Sequence, residues 1–266
     1  MGIRVCLAGA TGWAGSDLAR GIAATSDLAL VSAVSRTHAG RDLGDVLGDR
    51  RLSCPIYASA PEALSQPCDV FVEYTGPDSA RANILAALQH GAHVVVGTSG
   101  LTDAGYAEID GVARARRLGV LACGNFALTA VLMQKFAEMA ARLIPQWEII
   151  DYGRDDKPDA PSGTAREVAA RLAQVRAPEP TVPVAQTVGE RAARGAIVSG
   201  SQIHSVRLPG FVLSTEIIFG LPDQKLTIRH EAGSSARPYV DGALLAIRGT
   251  PALVGVHRGL DTVLDI

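Results

Sequence analysis

Before residue 25 the chain passes from an apolar run, Ile3-Arg4-Val5-Cys6-Leu7-Ala8, through Gly9-Ala10-Thr11-Gly12-Trp13-Ala14-Gly15 and into a helical pattern from Trp13 to about Ala24. A buried strand that turns at once into a helix is the opening unit of a parallel α/β sheet. Glycines belong at such a turn because the backbone bends sharply there and passes close to a pyrophosphate, whose oxygens can bind amides at the helix N-terminus. The GxxGxxG spacing alone is a weak signal, but its place between a strand and a helix strengthens it. The competing reading is a glycine-rich turn with no ligand. On the ligand reading, Gly9, Thr11, Gly12, Trp13, Ala14 and Gly15 are the candidate cofactor contacts.

The alternation continues. Leu28–Val34, Val70–Tyr74, His93–Val96 and Gly119–Ala122 read as short strands, with helices at Ser79–His90 and Thr102–Arg117. Right-handed crossovers then give a mostly parallel, doubly wound sheet of the Rossmann type. After about Asn125 the pattern changes. A long helix is expected from Ala127 to Leu143, a strand at Trp147–Tyr152, and a loop entering a helix over Pro161–Ala173. Residues 174–190 read as loop. Ser201–Leu208, Leu213–Gly220 and Gln224–His230 read as strands parted by Pro-Gly and Pro-Asp turns, which predicts an antiparallel or mixed sheet. A helix at Ala236–Arg248 and a polar tail close the chain. The expected fold class is α/β, an N-terminal Rossmann-type sheet with a second α+β domain.

Composition excludes several classes. A chain of 266 residues with a formal net charge of -2 and dispersed basic residues has no footprint for nucleic acid. No apolar run approaches the roughly 20 residues that cross a bilayer. The opening residues lack the charged stretch and long apolar core of a signal peptide, so a soluble, cytoplasmic protein is expected. The four cysteines, Cys6, Cys54, Cys68 and Cys123, have no metal-ligand spacing, so no metal site and free thiols are expected, in keeping with a reducing compartment.

The end of the second strand bears on the cofactor. An Asp or Glu there would accept from the ribose hydroxyls of NAD. The run is Ala33-Val34-Ser35-Arg36-Thr37-His38, without a carboxylate. Arg36 can pair with a 2'-phosphate, and Ser35, Thr37 and His38 can add hydrogen bonds, which favours NADPH over NADH. The alternative is that Arg36 faces solvent or stacks on adenine, with NADH as cofactor.

The most specific segment is Lys157-Pro158-Asp159-Ala160-Pro161-Ser162-Gly163-Thr164-Ala165. It is a loop ending in a helix start. Ser162, Gly163 and Thr164 can offer amides and a hydroxyl to an anion, and Lys157 can supply charge or a proton. A plain reading stands beside this: Ser162 or Thr164 caps the helix and Lys157 is solvated.

This run resembles the signature of the dihydrodipicolinate reductases. Gly9-Gly12-Gly15, Glu73-Tyr74-Thr75-Gly76-Pro77, Gly97-Thr98-Ser99-Gly100, Gly124-Asn125-Phe126-Ala127 and Gly259-Leu260-Asp261-Thr262-Val263-Leu264 fit the same family in the same order, so the resemblance spans essentially the whole chain. It implies a dinucleotide-binding domain of residues 1–125 plus 237–266 and a substrate-binding and oligomerisation domain of residues 126–236, whose open sheet builds a homo-oligomer, a tetramer or a dimer. It implies hydride transfer from NAD(P)H to an unsaturated cyclic dicarboxylate of lysine and diaminopimelate synthesis. Thr75 becomes a cofactor contact, Gly97, Thr98 and Gly100 lie beside the nicotinamide, and Asn125 and Phe126 lie close to the hinge. Gly163 and Thr164 take a substrate carboxylate, with Ser162 beside them, and Lys157 is the candidate proton donor.

The chain departs from the family at two places that bear on chemistry. Gly153 and Arg154 stand where the family carries two adjacent histidines. Neither can shuttle a proton near neutral pH. Arg154 could instead grip a carboxylate through its fork. A further histidine, which the family often carries in the strand after the Arg-Gly turn, is missing here, where Leu213-Ser214-Thr215-Glu216 occupies that strand. His204 and His230 read as structural, and Tyr152 would be a proton donor if its hydroxyl pointed inward. Three functions are therefore weighed: the family reaction, an NADPH-dependent imine or ene reductase acting on another small carboxylate, and a non-catalytic NADPH-binding protein.

Overall fold

A computed structural model describes residues 2–265. The chain divides into two compact units, Met1–Leu128 with Ala236–Ile266, and Thr129–Ser235. In chain order the first unit contributes β1 (Ile3–Ala8), α1 (Trp13–Ala23), β2 (Leu28–Val34), α2 (Leu43–Leu47), β3 (Ile56–Tyr57), α3 (Ala60–Ala63), β4 (Val70–Glu73), α4 (Pro77–Gln89), β5 (His93–Val96), α5 (Asp103–Arg116) and β6 (Gly119–Ala122). Then follow α6 (Leu128–Leu143), β7 (Trp147–Gly153), α7 (Gly163–Val175), β8 (Ala196–Val198), β9 (Ser201–Arg207), β10 (Leu213–Leu221) and β11 (Gln224–Ala232). The chain returns to the first unit with α8 (Arg237–Gly249) and β12 (Gly255–Arg258).

The first sheet runs β12-β6-β5-β4-β1-β2-β3, and every pairing is parallel. Its central strands are buried on both faces: Val5 to Ala8 on β1 and Val70 to Glu73 on β4 have no exposed surface. That is why they read as unbroken apolar runs rather than alternating ones. The strand order turns back at β1, whose neighbours are β2 on one side and β4 on the other. The carboxyl ends of β1 and β4 therefore flank a crevice, the place where open α/β sheets bind ligands.

The second sheet, β11-β10-β7-β9-β8, is mixed, with β7 and β9 parallel and the other pairs antiparallel. Strand β7 alternates cleanly: Trp147, Ile149, Asp151 and Gly153 are buried and the residues between are half-buried. Ile149, Ile203, Ile217 and Phe219 pack against Ala137 and Ala141 of α6 and Val168 and Leu172 of α7. Each large apolar side chain removed from water there contributes about 2 kcal/mol of transfer free energy.

Three features depart from the reading of the sequence. Between residues 42 and 64 lie α2, β3 and α3, too short to leave a period; Asp42 and Ser59 start the two helices by accepting from the Gly44 and Glu62 amides. Helix α4 starts at Pro77 rather than Ser79, with proline in the first turn where its missing N–H costs nothing. The expected polar tail contains β12, a half-exposed edge strand that His257 and Arg258 keep from reading as an apolar run. Among the described residues no disulfide joins the four cysteines, and Cys6, Cys54 and Cys123 are buried. Among the described residues no helix is long and apolar enough to cross a membrane.

Candidate active site

In the first unit a cleft of about 720 Å³ opens at the ends of β1, β2 and β4. Its wall includes Gly9, Thr11, Gly12, Ser35, Arg36 and Thr37, so the turn after β1 and the end of β2 meet at one site. Gly9 has φ +80°, and a Cβ there would lie 2.3 Å from the Tyr74 carbonyl oxygen. A Cβ on Gly15 would lie 2.1 Å from the Gly9 oxygen. No side chain can stand at either position, and the backbone is left open to a phosphate group. Gly12 is the N-cap of α1 and no side chain caps that end, so its amides remain for an anion. Thr11 Oγ1 and Ser35 Oγ share a hydrogen bond of 2.8 Å. Arg36 is exposed on the cleft wall and makes no hydrogen bond or ion pair among the described residues. The cleft fits the pyrophosphate and the adenosine end of a dinucleotide in size and chemistry.

Trp13, the first residue of α1, is an expected cofactor contact. It is 61% exposed and meets the Tyr239 ring edge-on at 5.8 Å. Tyr74 connects the cleft wall with the second group of expected contacts. A Cβ on Gly97 would lie 2.3 Å from its ring, and the Phe126 ring is 5.7 Å away. The Asn125 side chain accepts from the Ala127 amide at 2.8 Å. The Tyr74 hydroxyl is buried without a partner, and burial, then the nearby Cys123, pushes its ionisation up.

Reading the sequence missed the residue that organises this end of the unit. Glu73, with no exposed surface, closes β4. Its Oε1 accepts from the Thr75 amide at 2.8 Å, the Thr75 hydroxyl, and Thr98 Oγ1 at 3.3 Å. Its Oε2 accepts from Asn83 Nδ2 at 2.9 Å. One carboxylate thus fixes the turn after β4, the end of β5 and a turn of α4. The available signal was a glutamate ending the strand Val70-Phe71-Val72-Glu73, where buried charge is expensive unless hydrogen-bonded.

In the second unit the Lys157–Thr164 segment leads into α7. Ser162 is the N-cap: its hydroxyl accepts from the Ala165 amide at 3.3 Å, and its own amide donates to Asp151 Oδ2 at 2.8 Å. Gly163 is exposed and Thr164 half-buried at the first turn. The Lys157 ammonium pairs with Asp159. The Lys157 stem lies over Gly153, where a Cβ would be 3.0 Å from Lys157 Cδ and 3.3 Å from Arg207 Cζ. The space above the strand end is therefore held by Lys157 and Arg207.

Other expected groups are placed elsewhere. The Arg154 fork points to Asp156, with Nε 3.0 Å from its Oδ1, and both are exposed. Tyr152 lies on the sheet face opposite Asp151. Its hydroxyl donates to Glu216 at 3.2 Å and Arg229 covers its ring at 4.8 Å, so it is not brought to Lys157. Burial, then Glu216, raises its ionisation above the usual tyrosine value. His204 is 2.7 Å from Glu148. His230 meets Thr129 at 3.0 Å, and burial lowers its ionisation. Asp151, Thr215 and His230 face one another across adjacent strands, all buried, and each has one polar atom without a partner.

Comparison with known proteins matches these features over the full length. The family models described as "Dihydrodipicolinate reductase, N-terminus" and "Dihydrodipicolinate reductase, C-terminus" match residues 3–126 and 129–264. A 4-hydroxy-tetrahydrodipicolinate reductase of Moorella thermoacetica is 39% identical, with 99% of this chain and 98% of that protein covered. One of Bacillus pumilus is 36% identical, with 99% and 98% covered. The dipicolinate-bound dihydrodipicolinate reductase of Paenisporosarcina sp. TG-14 superposes with a TM-score of 0.85 at 31% identity, over 99% of this chain and all of that one. An amine dehydrogenase of Mycobacterium smegmatis, at 17% identity and a TM-score of 0.68 over 96% and 94% of the two chains, shares the fold. With both family models matched and relatives similar end to end, the chain belongs to the dihydrodipicolinate reductase family and is a nicotinamide-dependent oxidoreductase of that type.

Proposed function

We propose that the chain uses NADPH to reduce an unsaturated cyclic dicarboxylate, the reaction that its curated relatives' names describe, in lysine and diaminopimelate synthesis. The observation that carries this reading is the entry to α7. There Ser162, Gly163 and Thr164 form a helix N-terminus fit for a carboxylate, with the Lys157 stem packed on the neighbouring strand end.

The first unit is the dinucleotide-binding domain. Gly9, Thr11, Gly12, Ala14 and Gly15 hold the pyrophosphate at the start of α1. Ser35, Arg36 and Thr37 select the 2'-phosphate of NADPH over the bare ribose of NADH. Thr75, Gly97, Thr98, Gly100, Asn125 and Phe126 line the nicotinamide end, with Trp13 at the rim. The nicotinamide supplies the hydride when bound. The second unit holds the substrate. Gly163 and Thr164 take one carboxylate through amides and hydroxyl, Ser162 shapes that turn, and Arg154 reaches the substrate after leaving Asp156. Lys157 Nζ delivers the proton after parting from Asp159. The protein works in the cytoplasm as a homo-oligomer, dimer or tetramer.

The deciding experiment follows NADPH oxidation by the purified protein at the nicotinamide absorbance band. Freshly generated dihydrodipicolinate precursor is one substrate, and a panel of cyclic imines and enoates is run in parallel. Turnover of the precursor is expected. Tight NADPH binding with turnover of a panel member alone would show that the fold has been redirected to another substrate, with Gly153 and Arg154 marking where. Binding with no turnover of anything would leave a nucleotide-binding protein without catalysis.

A further inference from the structure

Asp151 stands on the inner face of β7 with no exposed surface. Its Oδ2 accepts from the Ser162 amide at 2.8 Å, Ser205 Oγ at 3.2 Å and Arg207 Nη2 at 2.7 Å, while Oδ1 has no partner. Burying a carboxylate with an unmatched oxygen is costly, so its place calls for a reason. The amide it holds is that of the α7 N-cap, which makes Asp151 an anion at that helix N-terminus, where the partial positive charge favours it. Burial pushes its carboxyl up, but the hydrogen bonds from Ser162 and Arg207 outweigh burial and hold it below the usual range.

The same N-terminus is where a substrate carboxylate is assigned to Gly163 and Thr164. Two anions at one helix end repel each other unless a cation cancels the first. Lys157 is engaged with Asp159. Arg207, with 15% of its side chain exposed, is the cation on Asp151. Beyond that ion pair its guanidinium donates to the carbonyls of Asp151 at 3.1 Å, Val206 at 2.9 Å and Asp159 at 2.7 Å. It therefore ties β7 to the loop that leads into α7.

We propose that Asp151 and Arg207 are a positioning pair for the substrate carboxylate: Asp151 sets the α7 entry through the Ser162 amide, and Arg207 cancels its charge so that the helix end accepts a second anion. This rests on the reading of Gly163 and Thr164 as the carboxylate site.

The test is calorimetric titration of the full-length protein, saturated with NADPH, with dipicolinate, alongside steady-state kinetics. Arg207→Gln uncovers the Asp151 charge and weakens dipicolinate about tenfold, with substrate KM rising in step and NADPH affinity unchanged. Adding Asp151→Asn in that background recovers most of the loss. The amide keeps an oxygen for the Ser162 amide and removes the charge. A double variant as weak as Arg207→Gln, or weaker, overturns the proposal, because a purely structural pair cannot gain by losing its second member. Should Arg207→Gln fail to fold, Arg207→Lys keeps the charge without the fork. It should bind within about threefold of wild type, since the Coulombic cancellation remains. A tenfold loss there would assign the role to hydrogen bonds alone and overturn the proposal. If wild-type protein does not bind dipicolinate at all, the carboxylate site itself is wrong and the pair falls with it, an outcome visible before any substitution is made.

Discussion

Glu73 and Asp151 lie near the carboxyl ends of their strands, one in each unit, and neither has any exposed surface. Each holds an amide at or next to a helix N-cap: Thr75 before α4, whose cap is Gly76, and Ser162 at α7. Their partners differ. Glu73 is satisfied at both oxygens by Thr75, Thr98 and Asn83, none of them charged. Asp151 crowds three donors, one of them a guanidinium, onto one oxygen and leaves the other bare. On the proposed assignment of ligands, the contrast matches how many anions each helix end must hold. The phosphate is assigned to α1, so no second anion is assigned to the helix end beside Glu73. The helix beside Asp151 is the one assigned a second carboxylate, and there a cation is needed.

That division of labour can be broken by variants. The largest effect belongs to Lys157→Ala. A lost proton donor lowers kcat about 100-fold or more while the dissociation constant for NADPH, measured by fluorescence titration, stays put. A parallel loss of NADPH binding would mean that Lys157 serves both units and that the division is wrong. Glu73→Ala comes next. It strands the donors of Thr75, Thr98 and Asn83, costs about 2–3 kcal/mol in urea unfolding, and raises the KM for NADPH about tenfold. Dipicolinate affinity should not follow; if it does, Glu73 acts on more than the cofactor cleft.

Arg36→Glu sharpens the comparison from the cofactor side. It should raise the KM for NADPH about tenfold and that for NADH much less, because only NADPH offers a 2'-phosphate to the fork. Equal effects on the two would remove Arg36 from the cofactor site. The smallest effect concerns acid. The Asp151 carboxyl is held below its ordinary value, so its ionised form stabilises the fold fully above about pH 4, and that contribution fades as pH falls through the depressed value. Asp151→Asn should therefore lose more of its urea midpoint relative to wild type at pH 7 than at pH 3. An equal gap at both would show that the charge itself contributes nothing.

Much of the first unit could be read along the chain. Its strands are short, parallel and buried on both faces, so Val70-Phe71-Val72 and His93-Val94-Val95-Val96 declare themselves locally. The turn at Gly9 is equally local, since sterics within a few residues demand it. The Lys157–Thr164 run was legible for the same reason: an N-cap and its amides come from consecutive residues. Arg154 and Tyr152 were harder. Arg154 meets Asp156 within its own loop, a pairing that residue type alone does not choose over a substrate, and the face and partners of Tyr152 depend on the pleat of β7 and on neighbours from β10 and β11.

What the sequence by itself determined is the class of fold, most of its strands and helices, and the two segments where ligands are assigned, the glycine turn after β1 and the Lys157–Thr164 loop, because each depends on contacts among near neighbours in the chain. The tertiary structure alone decided which carboxylates are buried and who meets them. Arg207 reaches Asp151 across 56 positions and Thr98 reaches Glu73 across 25. Such pairs arise only when strand register sets distant residues side by side, and register is a property of the sheet rather than of any one strand.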